Sequence, residues 1–298
     1  MYRTILVPLD GSPFAEQALP TAVHLAAGAK APLLLARVHQ PPSRLGSTWD
    51  DFFRNEAKAY LERIAARATH AQPIDVEIAV LDGDVVEALC EHAERRAECL
   101  TVMSTNGRTG LSRAWLGSVA DGVLRHSTRP VLALRPSGPE HVPLASTGNV
   151  LVALDGSSFA EQVVPHAVQL ALLLPASLTL LRVIEPARAA IPGRADLLAL
   201  MAERPVEDSE EGAKRYLEEV AAGIRRAQPT IDVRTDLQIA DSAAPAIVER
   251  SCAGDGALVA LATRGRGASR LIIGSVADKV IRAAGDGVLV LRSVGSAS

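Results

Sequence analysis

Nothing restricts the possible folds of this chain more than the fact that its two halves repeat one another. Ile5-Leu-Val-Pro-Leu-Asp-Gly-Ser-Pro-Phe-Ala-Glu-Gln17 returns 145 positions later as Val150-Leu-Val-Ala-Leu-Asp-Gly-Ser-Ser-Phe-Ala-Glu-Gln162, and Arg37-Val38 keeps that offset at Arg182-Val183. Further on, Gly117-Ser-Val-Ala-Asp121 recurs as Gly274-Ser-Val-Ala-Asp278. Segments recurring in one order along the whole chain mark a tandem duplication, so the fold has to be completed in one half and built again in the other. The 298 residues divide into two domains of ordinary size, 1–136 and 149–292, each able to bury its own core. A linker rich in Pro, Ser and Gly joins them at 137–148, and 293–298 is a small polar tail. The extra length of the second copy lies mainly in one insertion, because Tyr60 follows Val38 by 22 positions whereas Tyr216 follows Val183 by 33. That insertion, 186–211, mixes Pro, Gly and charges around a short apolar run and reads as a surface loop.

Within the first copy, apolar runs and helical stripes alternate. Strands are expected at 4–9, 32–38, 74–80, 100–103 and 130–134. Between them lie a helix with Ala15, Leu19, Ala22, Val23 and Ala26 on its inner stripe and a helix over 49–69 with Phe52, Phe53, Ala57, Tyr60, Leu61 and Ile64 inward. Two more helices follow, at 85–96 and 118–126. Asp10-Gly-Ser-Pro13 makes the first turn, with Pro13 suited to open a helix. Strict alternation of strand and helix specifies an α/β fold, here a five-stranded parallel sheet with helices on both faces in each copy. An apolar share of 48% with only 3% aromatic residues fits, since sheets buried on both faces are aliphatic inside. Ligands of such sheets belong at the carboxyl ends of the strands near the switch point, where Asp10 and the 103–118 loop both fall.

Several function classes are disfavoured. A net charge of −3 gives no electrostatic reason to expect nucleic acid. The N-terminus enters a strand at once, with no room for a signal peptide, and the most apolar stretch, 170–183, is interrupted by Pro175, Ser177 and Thr179, so no membrane span is expected. Cys90, Cys99 and Cys252 lack ligand spacing and read as half-buried reduced thiols of a cytoplasmic protein. Neither G-x-x-x-x-G-K-[S/T] nor G-x-S-x-G occurs, and the seven histidines are scattered, as surface or helix-face residues are. Asp82-Gly-Asp84 and its counterpart Asp241-Ser242 precede helices and read as caps, and 207–211 as a solvated acidic face. No catalytic residue and no protein-only metal site is assigned.

One stretch stands out: Met103-Ser-Thr-Asn-Gly-Arg-Thr-Gly-Leu-Ser-Arg-Ala-Trp-Leu-Gly-Ser-Val-Ala-Asp121. A buried strand, a Gly-rich loop and a helix start in that order offer free backbone amides and a positive dipole end to phosphate. Gly107, Gly110 and Gly117 let the backbone approach an anion, and Arg108 and Arg113 add charge. The plainer alternative is an ordinary connection in which Ser118, three residues before Asp121, caps the helix.

These residues resemble the universal stress protein family in its tandem-domain form. The resemblance rests on Leu9-Asp-Gly-Ser12, Asn106-Gly-Arg-Thr-Gly-Leu-Ser-Arg113, Gly117-Ser118 and Pro130-Val-Leu-Ala-Leu-Arg135, and in the second copy on Leu154-Asp-Gly-Ser157, Arg264-Gly-Arg-Gly-Ala-Ser-Arg270, Gly274-Ser275 and Val288-Leu-Val-Leu-Arg292. It covers nearly the whole chain and implies two Rossmann-like domains of the adenine nucleotide alpha hydrolase type. The ATP-binding branch of the family carries G-x2-G-x9-G-[S/T]. In the first copy Ser104 stands at the first Gly, Gly107 takes the second, and Gly117-Ser118 completes the signature. In the second copy Ala262 replaces the first Gly, Gly265 matches, and only eight residues precede Gly274-Ser275.

By that resemblance an ATP site in the first copy is formed by Pro8, Asp10, Val38, Met103, Ser104, Asn106, Gly107, Arg113, Gly117, Ser118 and Val119. Its counterpart uses Ala153, Asp155, Val183, Leu261, Ala262, Arg264, Gly265, Arg270, Gly274, Ser275 and Val276. Asp10 and Asp155 would take ribose hydroxyls, the backbone at Val38 and Val183 would read adenine, and Arg113 and Arg270 would lie near the phosphates, with Mg²⁺ arriving on the nucleotide. The family pairs its domains through the last strand, so 131–134 and 288–291 would join the copies as an internal pseudo-dimer, and a homodimer is expected as well. The implied role is that of an ATP-binding regulatory or stress-tolerance module. Two alternatives stay open: an interaction module whose sites have lost the nucleotide, and a slow ATPase.

Overall fold

The computed structural model of the protein describes residues 1–40, 47–105, 116–135, 148–186, 209–253, 257–264 and 273–293. The first copy contains strands β1 (Thr4–Pro8), β2 (Leu33–His39), β3 (Val76–Asp82), β4 (Cys99–Ser104) and β5 (Val131–Leu134). Its helices are α1 (Pro13–Glu16), α2 (Leu19–Ala29), α3 (Ser47–Ala71), α4 (Val85–Glu94) and α5 (Ser118–His126). The second copy contains β6 (Asn149–Ala153), β7 (Ser177–Ile184), β8 (Val233–Ile239), β9 (Leu258–Arg264) and β10 (Gly287–Ser293). Its helices are a 3₁₀ turn (Ala160–Val163), α6 (Val164–Leu173), α7 (Glu210–Ala227), α8 (Ala243–Cys252) and α9 (Ser275–Ala283). The linker up to residue 147, the insertion between Pro186 and Ser209, and the tail after Ser293 lie outside the described residues. Among those described, no helix is long and apolar enough to cross a membrane.

All ten strands form one sheet in the order β3-β2-β1-β4-β5-β10-β9-β6-β7-β8. Within each copy the strands are parallel and doubly wound, and the register repeats: Ile5 pairs with Leu33 and Leu100, and Val150 with Leu178 and Leu258. Because side chains alternate across a strand, Ile5, Val7, Leu33 and Leu35 pack under α2 and α3, while Leu6, Leu34 and Ala36 pack under α4 and α5. Both faces of β1 are therefore covered, which is why the strand reads as an unbroken aliphatic run. Each of the two cores continues across the sheet into the second copy, under α6 and α7 on one face and under α8 and α9 on the other.

The copies meet where β5 and β10 run antiparallel, with Val131 opposite Val290, Leu132 opposite Leu289 and Leu134 opposite Gly287. A Cβ at Gly287 would stand 3.2 Å from the Ala133 carbonyl oxygen, so glycine lets the two backbones close up. Over this seam Asp121–Arg125 (2.6 Å) and Asp278–Arg282 (3.0 Å) form a four-charge cluster with cross-pairs of 3.6 and 3.9 Å. On the other face the Tyr2 hydroxyl lies 3.2 Å from His166 Nδ1, with the rings stacked. Antiparallel pairing also sends the carboxyl ends of the two sets of strands to opposite edges of the sheet. The outermost strands β3 and β8 carry Glu77, Asp82, Arg234 and Asp236, charges that discourage edge-to-edge association.

Three local expectations are corrected. The first helix is two pieces, because Pro20 has no N–H to give the Glu16 carbonyl and restarts the helix as α2; Pro165 does the same at α6. Phe52 faces out at 57% exposure, while Ala57, Tyr60, Leu61 and Ile64 are buried; residue 52 lies about 100° from residue 53 on the helix, beyond the edge of the buried stripe. Ser242 occupies the N-cap of α8 without capping it, and the Ala243 amide donates instead to Glu185 Oε1 at 2.7 Å. Asp84 does cap α4, accepting from Val86 and Glu87. Cys90 and Cys99 are buried, and burial pushes their thiols up to about 11 and about 12, which keeps them protonated and unreactive; Cys252 is exposed.

Candidate functional site

In the order 3-2-1-4-5, the connections leaving β1 and β4 go to opposite faces, so the carboxyl ends of these two neighbours part and leave a crevice. A cavity of about 610 Å³ occupies it in the first copy. Its floor comes from Pro8 to Asp10 after β1, Ala36 to Gln40 at the end of β2, and Met103 to Thr105 at the end of β4. Its walls are the start of α5 (Gly117 to Ala120), Val85 and Leu89 of α4, and Phe53, Glu56 and Ala57 of α3.

The turn after β1 is held by its own residues. Asp10 Oδ1 accepts from the Ser12 amide (2.8 Å), Ser12 Oγ caps α1 by accepting from Ala15 (3.2 Å), and Gly11 sits at φ +86°, where a Cβ is strained. Asp10 thus has a turn-building role and also lines the cavity. The start of α5 differs from the other helix starts around it. Its N-cap is Gly117, so Ser118 is the first helical residue rather than the cap, and among the described residues no side chain caps this end. The Gly117 amide donates to the Thr105 carbonyl (2.8 Å), and the Thr105 amide donates to Leu134 (2.8 Å), which fixes the helix start against the sheet. The amides that follow Gly117 thus open on the cavity with the positive end of the helix dipole behind them.

Two features were not anticipated. His39, expected at a surface, is 5% exposed at the end of β2, with Nε2 2.7 Å from Asp50 Oδ1 of α3. Arg54 and Asp82 form a second tie between α3 and the sheet. Phe53 enters the cavity wall instead of the core, and Trp49 and Phe52 cluster with it by ring contacts of 5.6–6.3 Å. Lower on α3, the Tyr60 hydroxyl donates to Glu16 (3.0 Å); burial, and then the Glu16 charge, raise its pKa, so it remains a neutral donor. His39 and Thr105 adjoin residues already singled out, so extending each strand-end motif by one position would have included them.

Pro8, Asp10, Val38, Met103, Ser104, Gly117, Ser118 and Val119 all line this one cavity. Asn106, Gly107 and Arg113 lie outside the described residues. In the second copy Ala153, Asp155, Val183, Leu261 and Ala262 stand at the corresponding strand ends, with Gly274, Ser275 and Val276 at the start of α9. Arg264 ends β9, and Gly265 and Arg270 lie outside the described residues. There Asp155 Oδ1 accepts from both the amide (2.9 Å) and the hydroxyl (2.6 Å) of Ser157, and the Gly274 amide donates to Thr263 Oγ1 (3.0 Å). Among the described residues no three His, Cys, Asp or Glu side chains are grouped to hold a metal ion.

Fold and crevice define a doubly wound α/β domain, present twice in one chain. The model of the universal stress protein family matches residues 1–135 and 147–292, and the chain belongs to that family. A universal stress protein of Mycobacterium tuberculosis (strain H37Rv) is 27% identical over 312 residues, covering 97% of this chain and 96% of its own length. The universal stress protein YxiE of Bacillus subtilis is 30% identical over 149 residues, covering 45% of this chain and all of its own length. Among solved structures, a universal stress protein from Archaeoglobus fulgidus superimposes with a TM-score of 0.71 at 20% identity, over 98% of this chain and 99% of that one, a likeness of fold.

Proposed function

We propose that the first copy binds an adenine nucleotide, with ATP as the reference ligand, and that the chain acts as a nucleotide-dependent regulatory module in stress tolerance. The observation that carries this reading is the α5 start, without a capping side chain among the described residues, opening on a 610 Å³ cavity that has the Asp10 carboxylate on its β1 side. A helix N-terminus of this kind favours an anion by about 0.3–1 kcal/mol at an exposed site and up to about 2 when partly buried. In this arrangement Asp10 accepts from ribose hydroxyls, the backbone after β2 at Val38 reads the adenine edge, and the amides of Ser118 and Val119 meet phosphate. Ser104, buried at 8%, brings a Cβ and a hydroxyl to the β4 end of the cavity, where glycine would leave more room. Mg²⁺, which neutralises phosphate charge when bound, would be held mainly by the phosphates themselves.

In the second copy Ala262 and the shorter loop weaken the same cradle, so we expect one nucleotide per chain. A homodimer of the whole chain would use some other surface, because β5 and β10 each already have a strand on both sides. The competing reading is an interaction module without nucleotide, and it draws on the Gly117 amide being already donated to Thr105. Calorimetric titration with ATP separates the two. One saturable site, lost in Gly117→Val and kept in Gly274→Val, supports nucleotide binding; no saturable heat up to millimolar ATP rejects it. Mass analysis of the protein as purified, after denaturation, checks for a carried adenine nucleotide.

A further inference from the structure

A second cavity of about 370 Å³ adjoins the first and shares Asp10, Arg37 and Glu56 with it. The second cavity therefore lies on the side of Asp10 and Arg37, away from the start of α5. The new residues of this cavity are Gly11, Ser12, Tyr60 and Arg63 with their neighbours Pro13 and Phe14. Arg37 leaves β2 on the same face as Leu33 and Leu35, and its guanidinium lies over the Tyr60 ring, 5.1 Å from the centroid. Beside it runs the turn after β1, where a Cβ at Gly11 would be only 3.5 Å from Arg37 Nη1. Arg63, one turn beyond Tyr60 on α3, lies over the same ring at 5.7 Å.

Among the described residues these two guanidiniums make neither a hydrogen bond nor an ion pair, in contrast to their neighbours on α3, Arg54 with Asp82 and Arg67 with Glu16. Arg37 is half-buried, and a guanidinium keeps its charge in any environment. The carboxylates nearby are largely committed or in water: Glu16 takes Tyr60 and Arg67, Asp10 takes the Ser12 amide, and Glu56 is exposed. Two planar forks that lie over one aromatic ring and line one cavity, beside the larger cavity at the strand ends, offer donors suited to phosphate oxygens.

We infer that this second cavity is a subsite for a phosphate on the ribose 2′ or 3′ oxygen, so that the ligand class of the first copy is a ribose-phosphorylated adenine nucleotide. The inference rests on the nucleotide reading above, in which Asp10 meets the ribose: with one oxygen of the vicinal diol on Asp10, a phosphate on the other reaches Arg37 and Arg63. The second copy supplies an internal contrast. Arg182 still lies over Tyr216 at 5.4 Å, but Glu219 stands where Arg63 does and Gly212 where Glu56 does. Arg182 is 5% exposed, and a Cβ at Gly156 would be 2.9 Å from it, so the guanidinium is packed against its turn and an acid replaces the second cation. The subsite belongs to the first copy.

The test is a calorimetric comparison of adenosine 5′-monophosphate with adenosine 3′,5′-bisphosphate and adenosine 2′,5′-bisphosphate on the full chain. One bisphosphate is expected to bind at least about tenfold tighter than the monophosphate, a factor two charge-assisted contacts readily supply, and the better isomer identifies the oxygen. Arg63→Glu, which installs the second copy's residue, and Arg37→Met should each bring the ratio of the two affinities to about one, the monophosphate serving as reference in the same protein. Equal affinities for all three ligands overturn the subsite and leave the nucleotide reading standing. A bisphosphate advantage that survives both substitutions overturns this location; failure of all three to bind overturns the subsite, and the nucleotide reading falls with it when ATP gives no saturable heat in the same titration.

Discussion

Asp10 and Asp155 close the same turn, Gly11 and Gly156 share φ of +86°, and Pro20 and Pro165 restart the same helix. Around the crevice, however, His39 is matched by Ile184, Ser104 by Ala262, Glu56 by Gly212 and Arg63 by Glu219. The first copy ties β2 to α3 through His39 and Asp50, whereas the end of the second copy's β7 pairs Ile184 with Ile239, which is 59% exposed. The comparison separates two kinds of position. Those that build the turn after the first strand and the start of the last helix, Asp10 and Gly117 among them, are alike in both halves, while the side chains around them on the crevice rim have diverged.

The largest effect should come where the halves are most alike. Leu35→Ala and Leu180→Ala truncate matched, fully buried side chains in the core that runs through both copies, and each should cost about 2–5 kcal/mol in urea unfolding. Because that core crosses the seam, each substitution should shift one shared transition; two transitions, of which only one moves, would show the copies to be energetically separate.

Asp10→Ala and Asp155→Ala sharpen the contrast. Both remove the amide bond of the turn, worth about 0.5–1.5 kcal/mol, and Asp155→Ala removes the Ser157 hydroxyl bond as well, so the melting temperature should fall in each and at least as far in Asp155→Ala. Only Asp10→Ala should weaken ATP in addition, by the roughly 1.5–3 kcal/mol of a charged hydrogen bond. Equal losses of affinity, or none, would break the proposed division between the sites.

A smaller effect depends on pH. His166 of the second copy, matched by the buried Thr21 in the first, has its pKa lowered below the ordinary 6.5, chiefly by burial and then by the N-terminal amino group. A lowered folded value means the contact with Tyr2 is fully stabilising above about pH 6.5 and is lost as pH falls through the lower folded value. Melting temperatures between pH 8 and pH 5 should therefore decline less steeply in His166→Gln. The decline that remains includes His92, whose pKa is also lowered, first by burial and then by Arg96 and Arg95.

The smallest effect belongs to the four-charge cluster over the seam. Its side chains are only partly buried, so a double-mutant cycle with Arg282→Met and Asp121→Asn should give a coupling of less than about 1 kcal/mol that shrinks further in salt.

The architecture was legible because its causes are local and repeated. Aliphatic runs such as Leu33-Leu-Leu-Ala36 admit little besides a doubly covered strand, and a second reading of each element stood in the other half of the chain. The misread details depend on what lies across the fold. An apolar stripe runs straight through Pro20, so the stripe alone does not show the break. Phe52 and Phe53 are equally apolar, and only the placement of α3 decides which turns outward. The carboxylate that takes the first α8 amide, Glu185, lies 58 residues before it, beyond any capping motif. At the candidate site the strand ends and the Gly117 helix start were legible, whereas the burial of His39 depends on Asp50 reaching it from α3.

The antiparallel join of β5 to β10 has one more consequence. In an assembly of two identical subunits any change is made on both sides of the symmetry axis, so a residue useful at one site must be tolerated at the other. A single polypeptide removes that obligation while keeping the geometry: Arg135 bonds the Ala284 and Arg282 carbonyls at the end of α9, and Arg292 reaches back to the His126 carbonyl at the end of α5. Covalent linkage thus leaves each half free to alter the side chains of its own crevice, as His39 against Ile184 and Arg63 against Glu219 show, while the seam holds the two together.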